Sequence, residues 1–409
     1  MHLFARIICI LHILGVCTAT GADRSDLYDP PALYLTWQGD PAHTMTVCWQ
    51  TVGDTPPAVY YRPLKSPGTW LQMEGVNKPF KGTRLTVHIT ELKGLSPSTD
   101  YEFCFRPGDR EFKFRTAPAD LSEPVRFISG GDVYHERKWM DAMNAMAAKF
   151  DPLFVVIGGD LAYSGDKDKP EKIERWGDYF DSWKNKAVTP DGRLVPLLVS
   201  IGNHEVSGSW HQVPEKAPSF YTLFPMPGSQ GYNSLDFGRY LTILLLDSSH
   251  THPVEGAQTD WLRHTLASRR DVLNIFPVYH IPAYPSIRSD ETGDNADITK
   301  SIRTNWCPLF DKYGVKIAFE NHDHAYKRTH PIQGNKLNPD GVTYLGDGAW
   351  GVNLRTPDPK KPRWYVAQSS PTRHFYLVTL HPKMRHIVAI NEDQQVFDEV
   401  YQSVAQDRH

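Results

Sequence analysis

Eight residues of this chain have side chains whose types and placement could do chemistry together: Asp132, Asp160, Tyr163, Asn203, His204, His280, His322 and His324. Each closes an apolar run. Asp132 ends VRFISGGD, Asp160 and Tyr163 lie in GGDLAYSGD, Asn203 and His204 in IGNHE, His280 in PVYHIP, and His322 with His324 in ENHDHAYKR. Taken singly each is weak, because an Asp after two glycines is often only a turn and a lone His is often a satisfied core residue. Recurrence changes the reading. Carboxylates and imidazoles at the ends of buried strands are costly unless paired or metallated, so five such ends in one stretch of chain point to a shared metal site. Two histidines one residue apart in an extended segment could serve neighbouring ions.

Ligands so far apart in sequence need a scaffold that gathers strand ends on one edge. From Val125 the pattern supplies it: the strand VRFISGGD, a helix around Glu136 to Phe150 with Trp139, Met143 and Met146 on one face, and the strand LFVVIGGD. A helix around Glu171 to Trp183 and the strand VPLLVSIGNHE follow, with later strands in YLTILLLDS, NIFPVYH, VKIAFENHDH and FYLVTL. This predicts an α/β layered core with functional loops at the carboxyl ends of its strands. Upstream, from about Pro30 to Thr116, short alternating runs such as MTVCWQT, LTVHITEL and YEFCFRP predict an all-β sandwich of roughly seven strands. Nothing in that sandwich looks catalytic. The stretch Ala117-Pro118-Ala119-Asp120 reads as a linker between the two domains.

At these motifs the sequence resembles a metallophosphoesterase of the purple acid phosphatase type. That family orders Asp-x-Gly, Gly-Asp-x-x-Tyr, Gly-Asn-His-Glu, a His after a short apolar strand, and Gly-His-x-His behind a fibronectin type III-like domain. Gly159-Asp160-Leu161-Ala162-Tyr163 and Gly202-Asn203-His204-Glu205 match without change. The resemblance implies an α/β fold in which a layered β-sandwich metallophosphoesterase domain, over 121–400, follows an all-β fibronectin type III-like sandwich over 25–116. It implies that Asp132, Tyr163 and His324 hold one metal ion, that Asn203, His280 and His322 hold a second, and that Asp160 bridges them. A phenolate ligand suits Fe(III), and imidazoles with an amide oxygen suit Zn, Fe(II) or Mn(II). The implied reaction is hydrolysis of a phosphate monoester, of acid phosphatase type, by a metal-activated hydroxide, with His204 as proton donor to the departing oxygen. Glu205 either orients His204 or is structural. Two departures from the family stand out: Tyr134 replaces the glycine after Asp132, and Asn321 replaces the glycine before His322. Arg288, in the loop after His280, could clamp a phosphate.

The composition sets the outer bounds. Of 409 residues, 40% are hydrophobic and 22% charged, ordinary for a protein that buries a sizeable core, and a formal charge of -3 gives no attraction for a polyanion, so nucleic-acid binding is not expected. The opening MHLFARIICILHILGVCTATGA reads as a signal peptide over 1–22, which implies a secreted or periplasmic protein with no mature transmembrane segment. Of the remaining cysteines, Cys48 and Cys104 fall on strand faces turned away from the sandwich core, so no disulfide is expected across it. The expected partner is a small phosphate ester or a nucleotide. Two other readings stay open: a phosphodiesterase or nucleotide-cleaving hydrolase on the same site, and a surface-binding protein with a silent catalytic domain.

Overall fold

The structure, a computed structural model, describes residues 28–404 apart from 54, 66, 168, 229–230 and 294. The signal-peptide expectation therefore lies outside the described residues. No helix among the described residues is long and apolar enough to cross a membrane.

Eight strands make the amino-terminal sandwich: β1 (Leu33–Thr36), β2 (Thr44–Val52), β3 (Ala58–Pro63), β4 (Leu71–Glu74), β5 (Val76–Pro79), β6 (Leu85–Lys93), β7 (Asp100–Cys104) and β8 (Phe112–Arg115). They form two four-stranded sheets, β1-β2-β6-β5 and β4-β3-β7-β8. The two strands the sequence pattern missed, β4 and β5, are largely exposed, with Leu71 and Val76 turned to solvent. Without a buried face they carry no alternation to read.

The second domain opens with β9 (Val125–Gly130), α1 (Arg137–Lys149), β10 (Val155–Gly158), α2 (Glu174–Lys186), β11 (Leu197–Ser200) and α3 (Pro218–Leu223). There follow β12 (Asn233–Phe237), β13 (Leu241–Leu245), α4 (Ala257–Ala267), β14 (Asn274–Val278), α5 (Ala296–Asn305), α6 (Cys307–Tyr313) and β15 (Ile317–Phe319). The last strands are β16 (Tyr326–Thr329), the short hairpin β17 (Ile332–Gln333) and β18 (Lys336–Leu337), then β19 (Thr343–Gly346), β20 (Val366–Ser370), β21 (His374–Leu380), β22 (Met384–Asn391) and β23 (Val396–Ser403). Two sheets result, β11-β10-β9-β21-β22-β23 and β12-β13-β14-β15-β19-β16-β20. Phe127 and Val378 of the first meet Phe276 and Phe319 of the second in one apolar core. The outer face of the first sheet is covered by α1 and α2, that of the second by α4, α5 and α6. The architecture is thus a layered β-sandwich with helices outside, as the resemblance implies.

In α1 the buried methionines are Met140, Met143 and Met146, while Trp139 is only half-buried and lies under the Arg373 guanidinium, 3.8 Å from its ring. The expected Trp139 stripe is corrected by one position on the helix.

The two domains share their core. Alternation in β1 sends Leu33 and Leu35 into the sandwich and Tyr34 outward, where it stacks on Phe180 of α2 at 4.2 Å. Trp37 packs edge-on against Phe154 and Phe237. Cys48, opposite Tyr34 in register, does face away from the sandwich core, and the second domain covers it; Cys48, Cys104 and Cys307 are all buried and free. The stretch expected as a linker is likewise fixed: Ala117 is fully buried and donates its N–H to Pro41, and the Tyr240 hydroxyl donates to the Pro118 carbonyl.

Candidate metal centre

Strands β9, β10 and β11 run parallel, as do β13, β14, β15 and β19. Their carboxyl ends therefore meet along one edge of the sandwich, the place where such sheets present loops. Asp132 follows β9, Asp160 and Tyr163 follow β10, Asn203 and His204 follow β11, His280 follows β14, and His322 with His324 follow β15. The structure brings all eight sequence-predicted residues together there.

Their polar atoms converge in two groups that share Asp160: Asp132, Asp160 and His324, and Asp160, His280 and His322. In the first, Tyr163 Oη lies 3.1 Å from Asp132 Oδ1 and 3.1 Å from His324 Nε2, which is itself 3.1 Å from Asp132 Oδ1. In the second, His280 Nε2 lies 3.0 Å from Asn203 Oδ1, 3.0 Å from His322 Nδ1 and 3.3 Å from Asp160 Oδ2. Donor atoms bound at ~2.0–2.1 Å to one ion sit roughly 2.9–3.4 Å from each other, so both groups have the spacing of coordination shells.

Proton bookkeeping points the same way. His280 Nδ1 faces the Gly158 carbonyl at 2.9 Å, and His324 Nδ1 faces the Asn353 carbonyl at 3.2 Å. Each of these nitrogens must donate, so Nε2 is the nitrogen that each ring can offer to an ion. Asp160 Oδ2 is buried without a hydrogen-bond partner. Nitrogen, amide and carboxylate donors aimed at one another are satisfied by shared protons or by cations, and the residues present fit two metal ions. Electrostatics agree. Burial, and then the Asp132 and Asp160 carboxylates, push the Tyr163 phenol well above its usual range, so a phenolate there needs a strongly positive neighbour. Burial disfavours the His280 imidazolium, but Asp160 and Asp132 outweigh it and raise its pKa to about 9.

The backbone at these positions is unusual. Asp132, Asp160, Tyr163, His322 and His324 have φ of 58°, 54°, 52°, 80° and 59°, in the left-handed region. Non-glycine residues pay roughly 1–2 kcal/mol each to be there. Glu205 stabilises two of the loops: buried, it accepts from the backbone N–H groups of Asp160, Leu161 and Gly202 at 2.8, 2.8 and 2.9 Å. It holds the loop of Asp160 through these three bonds, which is the structural one of the two roles open for it. His204 donates its backbone N–H to Asp160 Oδ1 at 2.8 Å, and its ring Nδ1 faces the Gly165 carbonyl at 2.9 Å. Its Nε2 has no hydrogen-bond partner among the described residues.

Neither departure from the family pattern obstructs the cluster. Tyr134 packs outside it, with its hydroxyl on Asp178 at 2.7 Å and the Arg175 guanidinium 4.0 Å from its ring. The Asn321 amide lies between two glycines: a Cβ on Gly131 would come within 2.2 Å of its Oδ1, and one on Gly158 within 1.8 Å of its Nδ2. Glycine at the ends of β9 and β10 thus makes the room that Asn321 fills, and its Nδ2 donates to the Tyr279 carbonyl. Arg288 is corrected. It is committed to Asp323, at 2.9 Å, and to the His322 carbonyl. Sequence reasoning missed Arg355, which is half-buried and joined to the centre by its N–H on the His324 carbonyl at 3.0 Å. Its side chain has no ion pair or hydrogen bond among the described residues. An isolated Arg in a proline-containing loop gives no signal in sequence. His250 was also missed: its ring lies 5.4 Å from that of His280, held by the Ser209 carbonyl and Ser248.

Residues 30–116 match the family described as purple acid phosphatase, N-terminal domain, and residues 127–326 match calcineurin-like phosphoesterase. The chain has the architecture of a purple acid phosphatase-like metallophosphoesterase. A structure of a purple acid phosphatase from yellow lupin (Lupinus luteus) seeds superposes with a TM-score of 0.72 at 19% identity, covering 91% of this chain and 74% of that one. Acid phosphatase type 7 of Mus musculus is 26% identical, over 93% of this chain and 92% of its own length. An uncharacterized protein of Mycobacterium tuberculosis is 27% identical over 81% of this chain, which spans 65% of that protein's length. The family model and the metal cluster together support a metal-dependent phosphoesterase.

Proposed function

We propose that the protein hydrolyses phosphate monoesters, as an acid phosphatase, with one ion held by Asp132, Tyr163 and His324, a second by Asn203, His280 and His322, and Asp160 between them. The observation that carries this reading is the convergence of side-chain nitrogen and oxygen donor atoms at coordination spacing in two groups that share one carboxylate. The phenol in the first group favours Fe(III); the imidazoles and amide oxygen of the second favour Zn, Fe(II) or Mn(II). When bound, such a pair supplies a nucleophilic water of lowered pKa and neutralises charge on phosphorus.

The remaining work falls to the chain itself. His204 Nε2 is the atom that can carry a proton to the departing oxygen, because Nδ1 is already committed to Gly165. Arg355, beside the His324 carbonyl, and Lys172, on the cleft wall, are cations available to a bound phosphate, whereas Arg288 is committed elsewhere. A cleft of about 310 Å³, lined by Tyr163, His204, His135, Gly165, Lys172 and Asn353, opens beside the cluster and suits a small leaving group. Export of the mature protein remains part of this reading.

The test is turnover of a phosphate monoester beside a phosphodiester on protein loaded with Fe and Zn. Monoester turnover that is lost on chelation and restored by metal supports the proposal. Turnover of the diester alone transfers the reading to a phosphodiesterase, and metal-loaded protein inert to both overturns it.

A further inference from the structure

The cleft wall carries a second imidazole, that of His135. Its Nδ1 receives the backbone N–H of Asn353 at 3.1 Å. A backbone N–H can only donate, so Nδ1 holds a lone pair and the ring proton sits on Nε2; an imidazolium would set two N–H groups face to face. The partner is itself immobilised. Within the same strap, Gly351 donates to the Asp132 carbonyl and accepts from the His135 N–H, each at 3.0 Å. Asn353 accepts from His324 Nδ1, and Arg355 donates to the His324 carbonyl. One short segment, Gly351 to Arg355, therefore laces together Asp132, His324 and the His135 ring.

That ring meets Tyr163 edge-on, with centroids 4.5 Å apart, and lies 5.3 Å from His324. His204 instead stacks on Tyr163 at 4.3 Å. Both imidazoles line the cleft, and His135 Nε2 has no partner among the described residues. The two differ in their proton chemistry. His204 has its Nδ1 on a carbonyl oxygen, whereas His135 has its Nδ1 on a backbone N–H and so keeps its proton at Nε2.

We infer that His135 contacts substrate, donating its Nε2–H to an oxygen of the phosphate ester held at the metal centre. This rests on the phosphoesterase reading above. A fixed neutral donor favours an anionic phosphoryl group or a leaving group that offers an oxygen to the cleft, and disfavours one that offers only donors.

The experiment uses metal-loaded full-length protein and inorganic phosphate as probe, with binding followed by titration calorimetry and metal content measured alongside. His135→Phe keeps the ring against Tyr163 and removes the donor; His135→Gln restores an N–H near the Nε2 position. Loss of one hydrogen bond to a charged oxygen should weaken phosphate binding about tenfold or more in His135→Phe, with both metals retained and the KM for a monoester raised by a similar factor. In His135→Gln, affinity should return to within about threefold of wild type. Unchanged phosphate affinity in His135→Phe overturns the inference. So does joint loss of metal and phosphate that Gln fails to restore, since the ring would then serve only to brace Tyr163 and His324. Absence of phosphate binding by metal-loaded wild type also overturns it. If wild type binds phosphate in a His135-dependent way and turns over no ester, the contact stands and the reaction reading falls.

Discussion

Replacing Glu205 by Gln removes one carboxylate oxygen from a side chain that carries three buried backbone N–H groups. Oε2 accepts from Asp160 and Gly202, and Oε1 from Leu161. A glutamine can keep its single oxygen on the first two, but its NH2 then faces the Leu161 N–H, donor against donor. Leaving that buried N–H without an acceptor costs about 1–3 kcal/mol. The two surviving bonds change from an ionic to a neutral acceptor and lose roughly half their strength, ~1 kcal/mol each, for a sum near 3–5 kcal/mol. Burial and the Asp160 charge already raise the Glu205 pKa, and cations beside Asp160 relieve that pressure. The cost should therefore appear most clearly in the metal-loaded protein. Urea unfolding of wild type and Glu205→Gln at matched metal content measures it, and metal analysis after dialysis should show fractional occupancy, because the Asp160 loop has lost an anchor. A change below about 1 kcal/mol with both metals retained would refute the anchoring role.

Three further outcomes follow from the same geometry. Tyr163→Phe should abolish the visible charge-transfer band of Fe-loaded protein while leaving the fold intact, and an unchanged band would remove Tyr163 from the ligand set. His204→Ala should retain both metals yet lose turnover about 10²- to 10⁴-fold on alkyl esters and less on activated aryl esters; parallel Brønsted plots for mutant and wild type would defeat the proton-donor role. Metal affinity should rise with pH: His280, raised to about 9, and Tyr163, higher still, are protonated without metal, so loading must release their protons and is opposed as pH falls. Titration with metal in two buffers of different ionisation heat checks this, and absence of proton release at about pH 6 to 8 would contradict it.

Much of the centre was legible in the sequence because its residues mark strand ends, and parallel strands put those ends on one edge. The apolar runs before Asp132, Asp160, Asn203, His280 and His322 carry that signal directly. What was not legible lies in contacts that leave no pattern. The sequence does not say that Glu205 serves three backbone donors, that Arg288 is committed to Asp323, or that Asn321 fits because Gly131 and Gly158 face it. Strands β4, β5 and β23 were missed because their faces are largely solvated. The stretch read as a linker does lie between the two matched domains, but the sequence does not say that its small residues pack closely against Pro41 and Tyr240.

The left-handed backbone at Asp132, Asp160, Tyr163, His322 and His324 bears on how such a centre could be transplanted. Copying seven side chains onto another scaffold would reproduce the chemical formula of the site and omit the turns that aim it. Asp and Asn tolerate that conformation better than most residues, whereas β-branched and bulky ones resist it. A library that varied these positions freely would spend most of its members on side chains the backbone refuses. The transferable unit is the loop with its chirality, and a designer would have to carry over Glu205 and the strap from Gly351 to Arg355 before the ligands themselves.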